Sequence, residues 1–413
     1  MAADKPRRVL IVVENLPVPF DRRVWHEAST LKNAGYEVSI ICPVDSGYEK
    51  RRETIDGIEI YRHPLPIEGV GPLGFIVEYC VALFWQTVLA WRVFLTRGFD
   101  VMHACNPPDL IFLVGGVFKL LFRRKFVFDH HDICPELFVA KYGHKGALHA
   151  LLEAVERWTF RTADISIATN KSYREIAITR GGMDPDKVFV VRSGPKLERV
   201  RLVPPIEALK KGRRYLVGYV GVMGKQEGIQ YLLEAVRYIV LERQRTDVHF
   251  GIVGGGPDYE RLCKLSDELG ISDYVTFTGR VPDQELLEML STADVCVNPD
   301  EYNEMNDKST MNKIMEYMAL GKPIVQFDLA EGRFSAKEAS VYARPNDAVD
   351  LADKILDLLA DEDARARMGA FGRERVVKEL SWSHEAPKLL AAYDALWAEQ
   401  AEHAPAAEPE RGL

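Results

Sequence analysis

Residues 215–257 read YLVGYVGVMGKQEGIQYLLEAVRYIVLERQRTDVHFGIVGGGP. Two short apolar runs, Tyr215–Val220 and Val248–Val253, have the length and composition of buried strands. The segment between them carries apolar residues at helical spacing, and a glycine-rich turn over residues 254–257 follows the second run. A strand, a helix and a second strand in this order predict a βαβ unit with parallel strands. The apolar face of the helix consists of Ile229, Leu232, Leu233, Val236, Ile239 and Val240.

The same alternation continues along the chain in two blocks. The first block begins with a strand over residues 8–13 and a helix that Asp21 caps and Gly35 ends. The pattern predicts an α/β fold of two Rossmann-like, doubly wound parallel-sheet domains facing across a cleft, with ligands beyond the carboxyl ends of the strands. The other strand candidates are residues 36–42, 58–63, 100–104, 126–129, 165–169 and 188–191 in the first block and residues 275–278, 295–298 and 323–327 in the second.

The domain boundaries follow from the linker-like Val203-Pro-Pro205 and from the final helical pattern. We expect an N-terminal domain over residues 1–200 and a C-terminal domain over residues 201–380. A helix over residues 381–400 is expected to pack back toward the N-terminal domain. The small and polar residues 401–413 are expected to form a disordered tail.

The composition excludes several classes of protein. The chain has 413 residues and a net charge of −8, whereas a nucleic-acid-binding domain is usually basic. Six scattered cysteines contain no Cys-x-x-Cys pair, which is typical of reduced, buried thiols in a cytoplasmic protein. The polar residues 1–8 do not resemble a signal peptide. We therefore expect a cytoplasmic protein.

Two segments indicate contact with a membrane. Phe75–Leu95 is almost wholly apolar and long enough to span a bilayer, but charges within it favour a buried or interfacial helix. Lys119–Lys125 alternates bulky apolar side chains with four cations, a pattern suited to anionic lipid headgroups. The alternative for this second segment is a solvated helix end. A peripheral position on the inner face of the cytoplasmic membrane is therefore one expectation.

The strongest local motif is STMNKIMEYMALGKPIV, residues 309–325. Ser309 or Thr310 is expected to cap a helix that Gly321 ends. The first turn offers free N–H groups and a positive dipole end for an anion. Glu316 is predicted about two turns from the start of this helix, on the same face as Asn312 and Lys313. A carboxylate there can accept hydrogen bonds from the vicinal hydroxyls of a ligand. The alternative is a solvated Glu–Lys helix pair.

This motif resembles the C-terminal signature of the retaining glycosyltransferases of family 4, which have the GT-B fold. Other stretches are similar to the family in order and spacing: residues 9–15, 220–225, 253–257 and 275–281. Residues 126–136, FVFDHHDICPE, resemble the bacterial polysaccharide-assembly branch. The resemblance implies transfer of a sugar from a nucleotide-sugar donor, expected to be UDP- or GDP-linked, with retention at the anomeric carbon. The acceptor is expected to be a lipid-linked saccharide or an oligosaccharide, since Phe75–Leu95 and Lys119–Lys125 suit a membrane face. The N-terminal domain would hold the acceptor and the C-terminal domain the donor.

The resemblance also implies roles for residues of the C-terminal domain. Glu316 matches the glutamate that binds the donor ribose, and Lys225 is the cation left for the diphosphate. This chain has Lys308 where the family has a second glutamate. Either Asp307, Glu304 or Glu301 makes the sugar contact instead, or the site binds a different sugar. The family's diphosphate-binding Arg and Lys fall at Val222 and Glu227. The expected donor-binding residues are Gly224, Gly254, Gly256, Asp307, Lys308, Ser309, Thr310, Asn312, Lys313 and Glu316, with Lys225 and Glu316 also catalytic.

In the N-terminal domain, the resemblance implies that one histidine contacts the donor sugar and has a catalytic role, while the other only packs. His131 is favoured over His130 for the sugar contact. Asp132 and Glu136 are candidates to approach the acceptor hydroxyl, where a carboxylate assists deprotonation. The alternative for each is a carboxylate that only caps a loop. Arg22 and Arg23 either reach a phosphate or simply begin a helix. The resulting acceptor-side set is His130, Asp132, Glu136, Arg22 and Arg23.

The family is generally metal-independent, so the resemblance implies no metal ion and no cofactor. Asp184-Pro-Asp186 is interpreted as a turn rather than as a metal ligand. The first βα turn lacks the glycines of a dinucleotide fingerprint, which argues against a nicotinamide-dependent dehydrogenase. Besides a glycosyltransferase, the sequence leaves two hypotheses open: a nucleotide-sugar 2-epimerase and a catalytically silent GT-B subunit.

Overall fold

The computed structural model describes residues 5–64, 71–143 and 145–402. The chain forms two compact units. The first comprises the chain up to Pro135, the segment Lys145–Val191 and the chain from Ala386 onward. The second comprises Arg192–Glu385 and the short segment that begins at Glu136. The division after Val191 falls nine residues before the expected boundary at residue 200.

The first unit is built on an eight-stranded sheet with the order β3-β4-β2-β1-β5-β6-β7-β8. All neighbouring strands are parallel except β3 and β4. The predicted parallel sheet therefore carries one additional antiparallel strand at this edge. Asp56 and Gly57, with φ of 49° and 78°, form the tight turn of a β-hairpin there. The strands are β1 Arg8–Val12, β2 Glu37–Pro43, β3 Arg52–Ile55, β4 Ile58–His63, β5 Val101–Cys105, β6 Lys125–His130, β7 Ile165–Ala168 and β8 Val188–Val190.

The helices that accompany this sheet follow the expected βα alternation. The first helix has the predicted cap and the predicted buried face. Asp21 accepts a hydrogen bond from the Val24 amide, and Val24, Ala28 and Leu31 are fully buried. Gly35, with φ of 93°, follows the end of this helix. The helices are α1 Arg22–Asn33, α2 Gly71–Thr96, α3 Phe112–Phe122, α4 Cys134–Tyr142, α5 Ala147–Thr162 and α6 Lys171–Thr179.

The long helix α2 contains the apolar run noted in the sequence. Within the described residues, its segment Tyr79–Thr96 is long and apolar enough to cross a membrane, and one third of that segment is buried inside the protein. Ala82, Ala90 and Val93 are fully buried against the first unit's core. Phe84, in contrast, is 60% exposed. The helix therefore packs along one side and leaves apolar side chains on the other.

The second unit is built on a six-stranded, wholly parallel sheet with the order β11-β10-β9-β12-β13-β14. Residues 215–220 pair in register with residues 248–253, which confirms the βαβ unit predicted from the opening stretch. The predicted helix face is buried throughout. The edge strand β14 was not predicted. The strands are β9 Tyr215–Val220, β10 Val248–Val253, β11 Val275–Gly279, β12 Val295–Asn298, β13 Ile324–Phe327 and β14 Ser340–Ala343.

The helices of the second unit cover both faces of its sheet, as expected for a doubly wound fold. They are α7 Ile229–Arg237, α8 Tyr259–Glu268, α9 Asp283–Thr292, α10 Glu304–Lys308, α11 Asn312–Ala319, α12 Ala330–Ala336, α13 Ala348–Ala360 and α14 Glu362–Arg375.

The last helix, α15, extends over Trp382–Glu402, so its end lies slightly beyond the predicted residue 400. Its C-terminal part belongs to the first unit, where the Tyr393 hydroxyl lies 2.8 Å from Nδ1 of the buried His103. Residues 401 and 402, expected to begin a disordered tail, are instead the last residues of this helix. The rest of the expected tail, residues 403–413, lies outside the described residues.

Candidate functional site

The turn after β9 carries an exposed cation, Lys225. Gly224 is buried and precedes a short 3-10 turn over Lys225–Glu227. The Lys225 ammonium has neither a hydrogen bond nor an ion pair with any part of the chain that the structure describes. A cation at the carboxyl end of a parallel strand is in the place where such folds bind anions. Lys225 is therefore available to a ligand.

The glycine-rich turn after β10 stacks directly on this first turn. The Met223 amide donates to the Gly255 carbonyl at 3.0 Å. Gly254 has φ of 132°, and a Cβ there would lie 1.9 Å from the Gly221 carbonyl oxygen. A Cβ at Gly256 would lie 2.6 Å from the Met223 carbonyl oxygen. Because only glycine permits this approach, these two glycines shape the turn that presents Lys225.

Lys313, expected to face the donor, lies in a buried ion cluster. Its ammonium is 2.8 Å from Asp300 Oδ1 and 2.7 Å from Glu227 Oε2. Burial opposes the charge of Lys313, but the two carboxylates outweigh it and raise the lysine's pKa well above the usual range. Burial raises the pKa of Asp300 to about 7, although Lys313 favours its ionisation. The charge of Lys313 is therefore largely balanced by the protein.

Asp300 was missed in the sequence. It follows the end of β12 by two residues, and that position at the carboxyl end of a strand is the signal that could have identified it. Its Oδ2 atom is buried without a hydrogen-bond partner among the described residues. Glu227, at a position where the family has a cation, is the second acid of this cluster.

Glu316 lies on α11 with its side chain 14% exposed. Its Oε1 atom accepts a hydrogen bond from Arg199 Nη1 at 3.2 Å. Arg199 also binds both carboxylate oxygens of Asp283, at 2.7 and 3.0 Å. The sequence indicated neither Arg199 nor Asp283, because each is distant from Glu316 along the chain. A fixed, partly exposed carboxylate of this kind can accept hydrogen bonds from ligand hydroxyls.

The N-terminal end of α11 differs from the prediction. Met311 occupies the capping position without a side-chain cap, so the expected cap by Ser309 or Thr310 was wrong. The reason is the additional short helix α10, which ends immediately before: the Ser309 hydroxyl donates back to the Met305 carbonyl. Thr310 Oγ1 instead accepts from Arg192 Nη1 at 3.3 Å.

The C-terminal end of α11 agrees with the prediction. Gly321, with φ of 62°, follows the helix, and the Lys322 amide donates to the Tyr317 carbonyl. Asn312, at the start of the helix, is exposed, with its side chain free of hydrogen bonds to the described chain.

Two further donor-side candidates make contacts within the protein. Asp307 Oδ1 accepts the Ala330 amide at 2.8 Å, at the first residue of α12. Lys308, in place of the family's second glutamate, pairs with Glu304 at 2.8 Å and lies 3.9 Å from Glu136 Oε1. The Lys308 side chain is 33% exposed, so it remains accessible while paired.

The carboxyl end of β6 carries a buried ion cluster in the first unit. Arg23 Nη2 lies 2.8 Å from Asp129 Oδ1 and 3.1 Å from Glu27 Oε1. Burial opposes ionisation of Asp129, but Arg23 and His131 outweigh it and hold its pKa well below the usual range. Burial raises the pKa of Glu27 well above its usual range. Arg23 is thus a buried partner of acids, whereas the half-buried Arg22 begins α1.

His131 is the most accessible member of this cluster, with its side chain 13% exposed. Its Nε2 atom lies 2.6 Å from Asp129 Oδ2 and 2.9 Å from Arg23 Nε. The backbone amides of His131 and Asp132 both donate to Asn106 Oδ1, at 2.7 and 3.1 Å. Asp129 and Asn106 therefore fix both the ring and the backbone of His131.

His130, in contrast to His131, lies in the protein interior. Its side chain is fully buried between Phe128, Phe160 and Tyr173, and its Nε2 atom lies 3.4 Å from Glu156 Oε1. A contact with an acceptor is incompatible with this burial, so His130 is the histidine that packs.

The two acceptor-side carboxylates differ in accessibility. Asp132 is half-buried and accepts from Asn15 Nδ2 at 3.4 Å. Glu136 is buried, and its Oε1 atom faces the Lys308 ammonium. Asp132 is therefore the more accessible of the two.

One group of side chains has the composition of a metal site. Ligand atoms of Glu27, Cys105, Asp129 and His131 lie within 4.8 Å of one another. The guanidinium of Arg23, however, contacts Asp129, Glu27 and His131 directly. Burial also raises the pKa of Cys105 well above its usual range, which disfavours the thiolate that binds metals. These residues therefore fit an arginine-centred ion cluster better than a metal ion.

Comparison with known domain families agrees with the two-unit organisation. Residues 21–194 match the model of the glycosyl transferase 4-like domain. Residues 214–361 match the model of glycosyl transferases group 1. Together the two models match most of the chain.

Two curated relatives are similar over much of this chain. The α-maltose-1-phosphate synthase of Mycolicibacterium smegmatis is 27% identical over 310 residues, which are 68% of this chain and 76% of that protein. The MMP α-(1→4)-mannosyltransferase of Mycolicibacterium hassiacum is 26% identical over 405 residues, covering 90% and 93% of the two chains.

Among solved structures, sucrose-phosphate synthase from Thermosynechococcus elongatus has a similar fold. Its TM-score is 0.77 at 20% identity, over 95% of this chain and 100% of that chain. The two parallel-sheet units and their carboxyl-edge side chains thus define a two-domain α/β glycosyltransferase. The chain belongs to the GT4-type glycosyltransferases, of GT-B fold.

Proposed function

We propose that this glycosyltransferase moves a hexose from a UDP- or GDP-linked donor to a lipid-linked saccharide, with retention at the anomeric carbon and without a metal ion. The observation that carries the proposal is the pair formed by Glu316 and Lys225. Both lie on turns or helices that follow strands of the second sheet. Lys225 is exposed and unpaired among the described residues, and Glu316, although bound to Arg199, keeps its side chain 14% exposed. A carboxylate for hydroxyls and a cation for phosphate are the groups that a sugar nucleotide requires.

The leaving nucleoside diphosphate is a polyanion, so cations directed at it lower the barrier. Lys225 supplies such a charge directly. Lys313 contributes less, because Asp300 and Glu227 already balance its charge. Protonation of Asp300, whose pKa burial raises to about 7, would make the surroundings of Lys313 more favourable to a diphosphate. We therefore assign the main electrostatic role to Lys225 and a pH-sensitive secondary role to Lys313.

At the sugar, we assign the donor contact to His131. Asp129 binds Nε2 of its imidazole, which leaves Nδ1 as the nitrogen available to a sugar hydroxyl. Asp132, two residues beyond β6 and half-buried, is the candidate to accept the acceptor's proton.

A lipid-linked acceptor agrees with the apolar surface of the first unit. Along α2, the side chains of Val77, Val81, Phe84 and Val88 are between 36% and 60% exposed and recur at helical spacing. Contiguous exposed apolar surface of this kind often marks a membrane or ligand contact. We place the enzyme on the cytoplasmic face of a membrane, in assembly of a cell-surface polysaccharide.

One observation favours a second candidate, a GT-B subunit that binds nucleotide without turnover. The position of the family's second glutamate is Lys308, and that lysine is paired with Glu304. A site without this acid would still bind the nucleotide through Glu316 and Lys225.

A thermal-shift screen tests the proposal. Uridine, guanosine and adenosine diphosphates, and their glucose and mannose derivatives, are added to the protein in the presence of EDTA. Nucleotides that carry one of the three bases are expected to raise the melting temperature. The product formed with a lipid-linked acceptor is then analysed by nuclear magnetic resonance, and it is expected to keep the donor's anomeric configuration. No shift with any nucleotide would refute the proposal. A shift without turnover on any acceptor would favour the silent subunit.

A further inference from the structure

A cavity of about 710 Å³ lies at the amino-terminal edge of the first unit's sheet. Five of its lining residues are cationic, two are acidic and one is a tryptophan. This excess of positive charge contrasts with the net charge of −8 of the whole chain. The cations are Lys5, Arg7, Arg8, Arg123 and Arg124.

The cations of this amino-edge pocket fall into two groups. Arg8 and Arg124 share the carboxylate of Asp100, at 3.8 and 3.0 Å. Lys5 and Arg123 are exposed, and neither has an acidic partner within residues 5–64, 71–143 and 145–402. Arg7 is also exposed. Two cations are therefore balanced in part by the protein, and three are open to an external anion.

Trp397 gives the pocket a rigid wall. The guanidinium carbon of Arg7 lies 4.0 Å from the centre of the indole ring, and the indole N–H donates to the Tyr36 hydroxyl at 3.1 Å. A cation stacked on a fixed aromatic ring keeps its N–H groups free at the ring's edge while losing little conformational freedom. Arg7 is thus oriented in advance for an oxyanion.

The pocket is separate from the residues proposed for catalysis. Arg8 begins β1, Glu37 begins β2 and Arg124 immediately precedes β6, so the pocket lies at the amino ends of these strands. His131 follows the carboxyl end of β6. Because a strand rises about 3.3 Å per residue, the six residues of β6 put the two edges about 20 Å apart. The cluster around His131 therefore does not account for these cations.

Two helices bring apolar side chains to the same edge. Helices in βα units run antiparallel to the strands, so α2 and α3 both end at the amino edge. In their last turns Leu95 is 76% exposed, Leu120 is 82% exposed and Leu121 is 63% exposed. Arg123 and Arg124 follow Leu121 almost directly. Apolar side chains thus stand beside open cations, which is the combination that binds an anionic bilayer.

We propose that the amino-edge pocket binds the phosphate headgroups of anionic phospholipids while Leu95, Leu120 and Leu121 insert among the acyl chains. The inference deepens the proposed function, since it rests on an enzyme that works at a membrane face. At about 1.5 Å per residue, the 26 residues of α2 extend about 39 Å from this edge toward and past the carboxyl edge of the strands. The exposed apolar residues of α2, Val77, Val81, Phe84 and Val88, would therefore contact the same membrane that the amino-edge pocket binds.

Flotation of the full-length protein with vesicles tests the pocket. Vesicles of phosphatidylcholine alone are compared with vesicles that also contain phosphatidylglycerol, at low and at high salt. The pocket variant is Arg7→Ala with Arg123→Ala. The matched control, Arg237→Ala with Arg344→Ala, removes the same charge from the surface of the second unit. A third variant, Leu120→Ser with Leu121→Ser, removes the apolar contact, and melting temperatures verify folding of each.

We expect wild type and the arginine control to float with the anionic vesicles only, and less at high salt. Each Lys or Arg near an anionic surface contributes about 1 kcal/mol, so losing two lowers the partition coefficient roughly thirtyfold. The leucine variant is also expected to float less.

Several results would overturn the inference. The wild-type protein could remain in the soluble fraction with anionic vesicles at low salt, or it could float equally with neutral vesicles. The pocket variant could also float as well as the wild type. The first two are measured without any substitution, so misfolding of a variant does not prevent a decision. Nucleotide-induced thermal shifts, measured in parallel, separate this failure from failure of the proposed function, because Arg7 and Arg123 belong to the first unit, whereas Lys225 and Glu316 belong to the second.

Discussion

Replacement of Lys313 by methionine tests the buried ion cluster of the second unit. The substitution keeps the length of the side chain but removes the ammonium that lies 2.8 Å from Asp300 and 2.7 Å from Glu227. Asp300 is fully buried, so it would be left without this cation. Breaking a buried ion pair by removing one partner typically costs about 3–5 kcal/mol of unfolding free energy.

The pH dependence of this loss follows from Asp300. Its pKa rises from 3.8 in the unfolded chain to about 7 in the folded protein, so the folded state binds more protons and stability falls as pH rises toward 7. In the wild type this fall ends near pH 7. Without Lys313 the folded pKa is higher still, so the fall continues at about 1.4 kcal/mol per pH unit. The substitution should therefore cost about 1.4 kcal/mol more at pH 8 than at pH 6.

Hydrogen–deuterium exchange of the β9 and β12 amides measures the free energy of opening in the second unit at both pH values. Lys264→Met is the matched control, because Lys264 is 78% exposed and forms only a helical ion pair with Glu268 among the described residues. When Asp300→Asn is present in both proteins compared, the loss caused by Lys313→Met should be independent of pH. An equal loss at pH 6 and pH 8 in the single variant would refute our account of Asp300.

Three further predictions concern the donor site. Glu316→Gln should raise the donor dissociation constant about 10- to 150-fold in calorimetry, since a hydrogen bond to a charged group contributes about 1.5–3 kcal/mol, whereas the exposed Glu285→Gln should leave it unchanged. Lys225→Ala should lower donor turnover roughly tenfold or more without changing the melting temperature, and an unchanged rate would remove Lys225 from the mechanism. Gly254→Ala should destabilise the second unit by about 1–3 kcal/mol in urea unfolding, because the new Cβ would overlap the Gly221 carbonyl; wild-type stability would contradict that geometry.

Elements with strong local signals were predictable from the sequence. Helix α1 has its cap at Asp21, its apolar spacing and its terminal Gly35 within one short segment, and all three hold in the structure. The in-register pair β9 and β10 follows from apolar runs separated by one helix. In contrast, the hairpin of β3 and β4 was missed because β3 is short and charged, although Asp56-Gly57 is a recognisable turn signal.

The candidate site was predictable only in part. The sequence indicated Lys225, His131 and Glu316 as residues of interest, through their positions after strands and through the family resemblance. It did not indicate Arg199 or Asp300, since neither belongs to a motif. The cap of α11 was predicted wrongly because α10, which ends at Lys308, takes the hydroxyl of Ser309.

The sequence by itself determined the two parallel sheets and the βα turns that carry the candidate residues, because strand and helix periodicities are local properties. Only the tertiary structure decided which charges remain available to a ligand. Arg23 and Asp129 are 106 residues apart, and Lys313 and Glu227 are 86 apart, yet each pair is in contact and neutralised. Lys225 makes no such pair within the part of the chain that the structure describes. Burial makes an unpaired charge costly, so the fold brings distant acids to its buried cations and leaves exposed ones open.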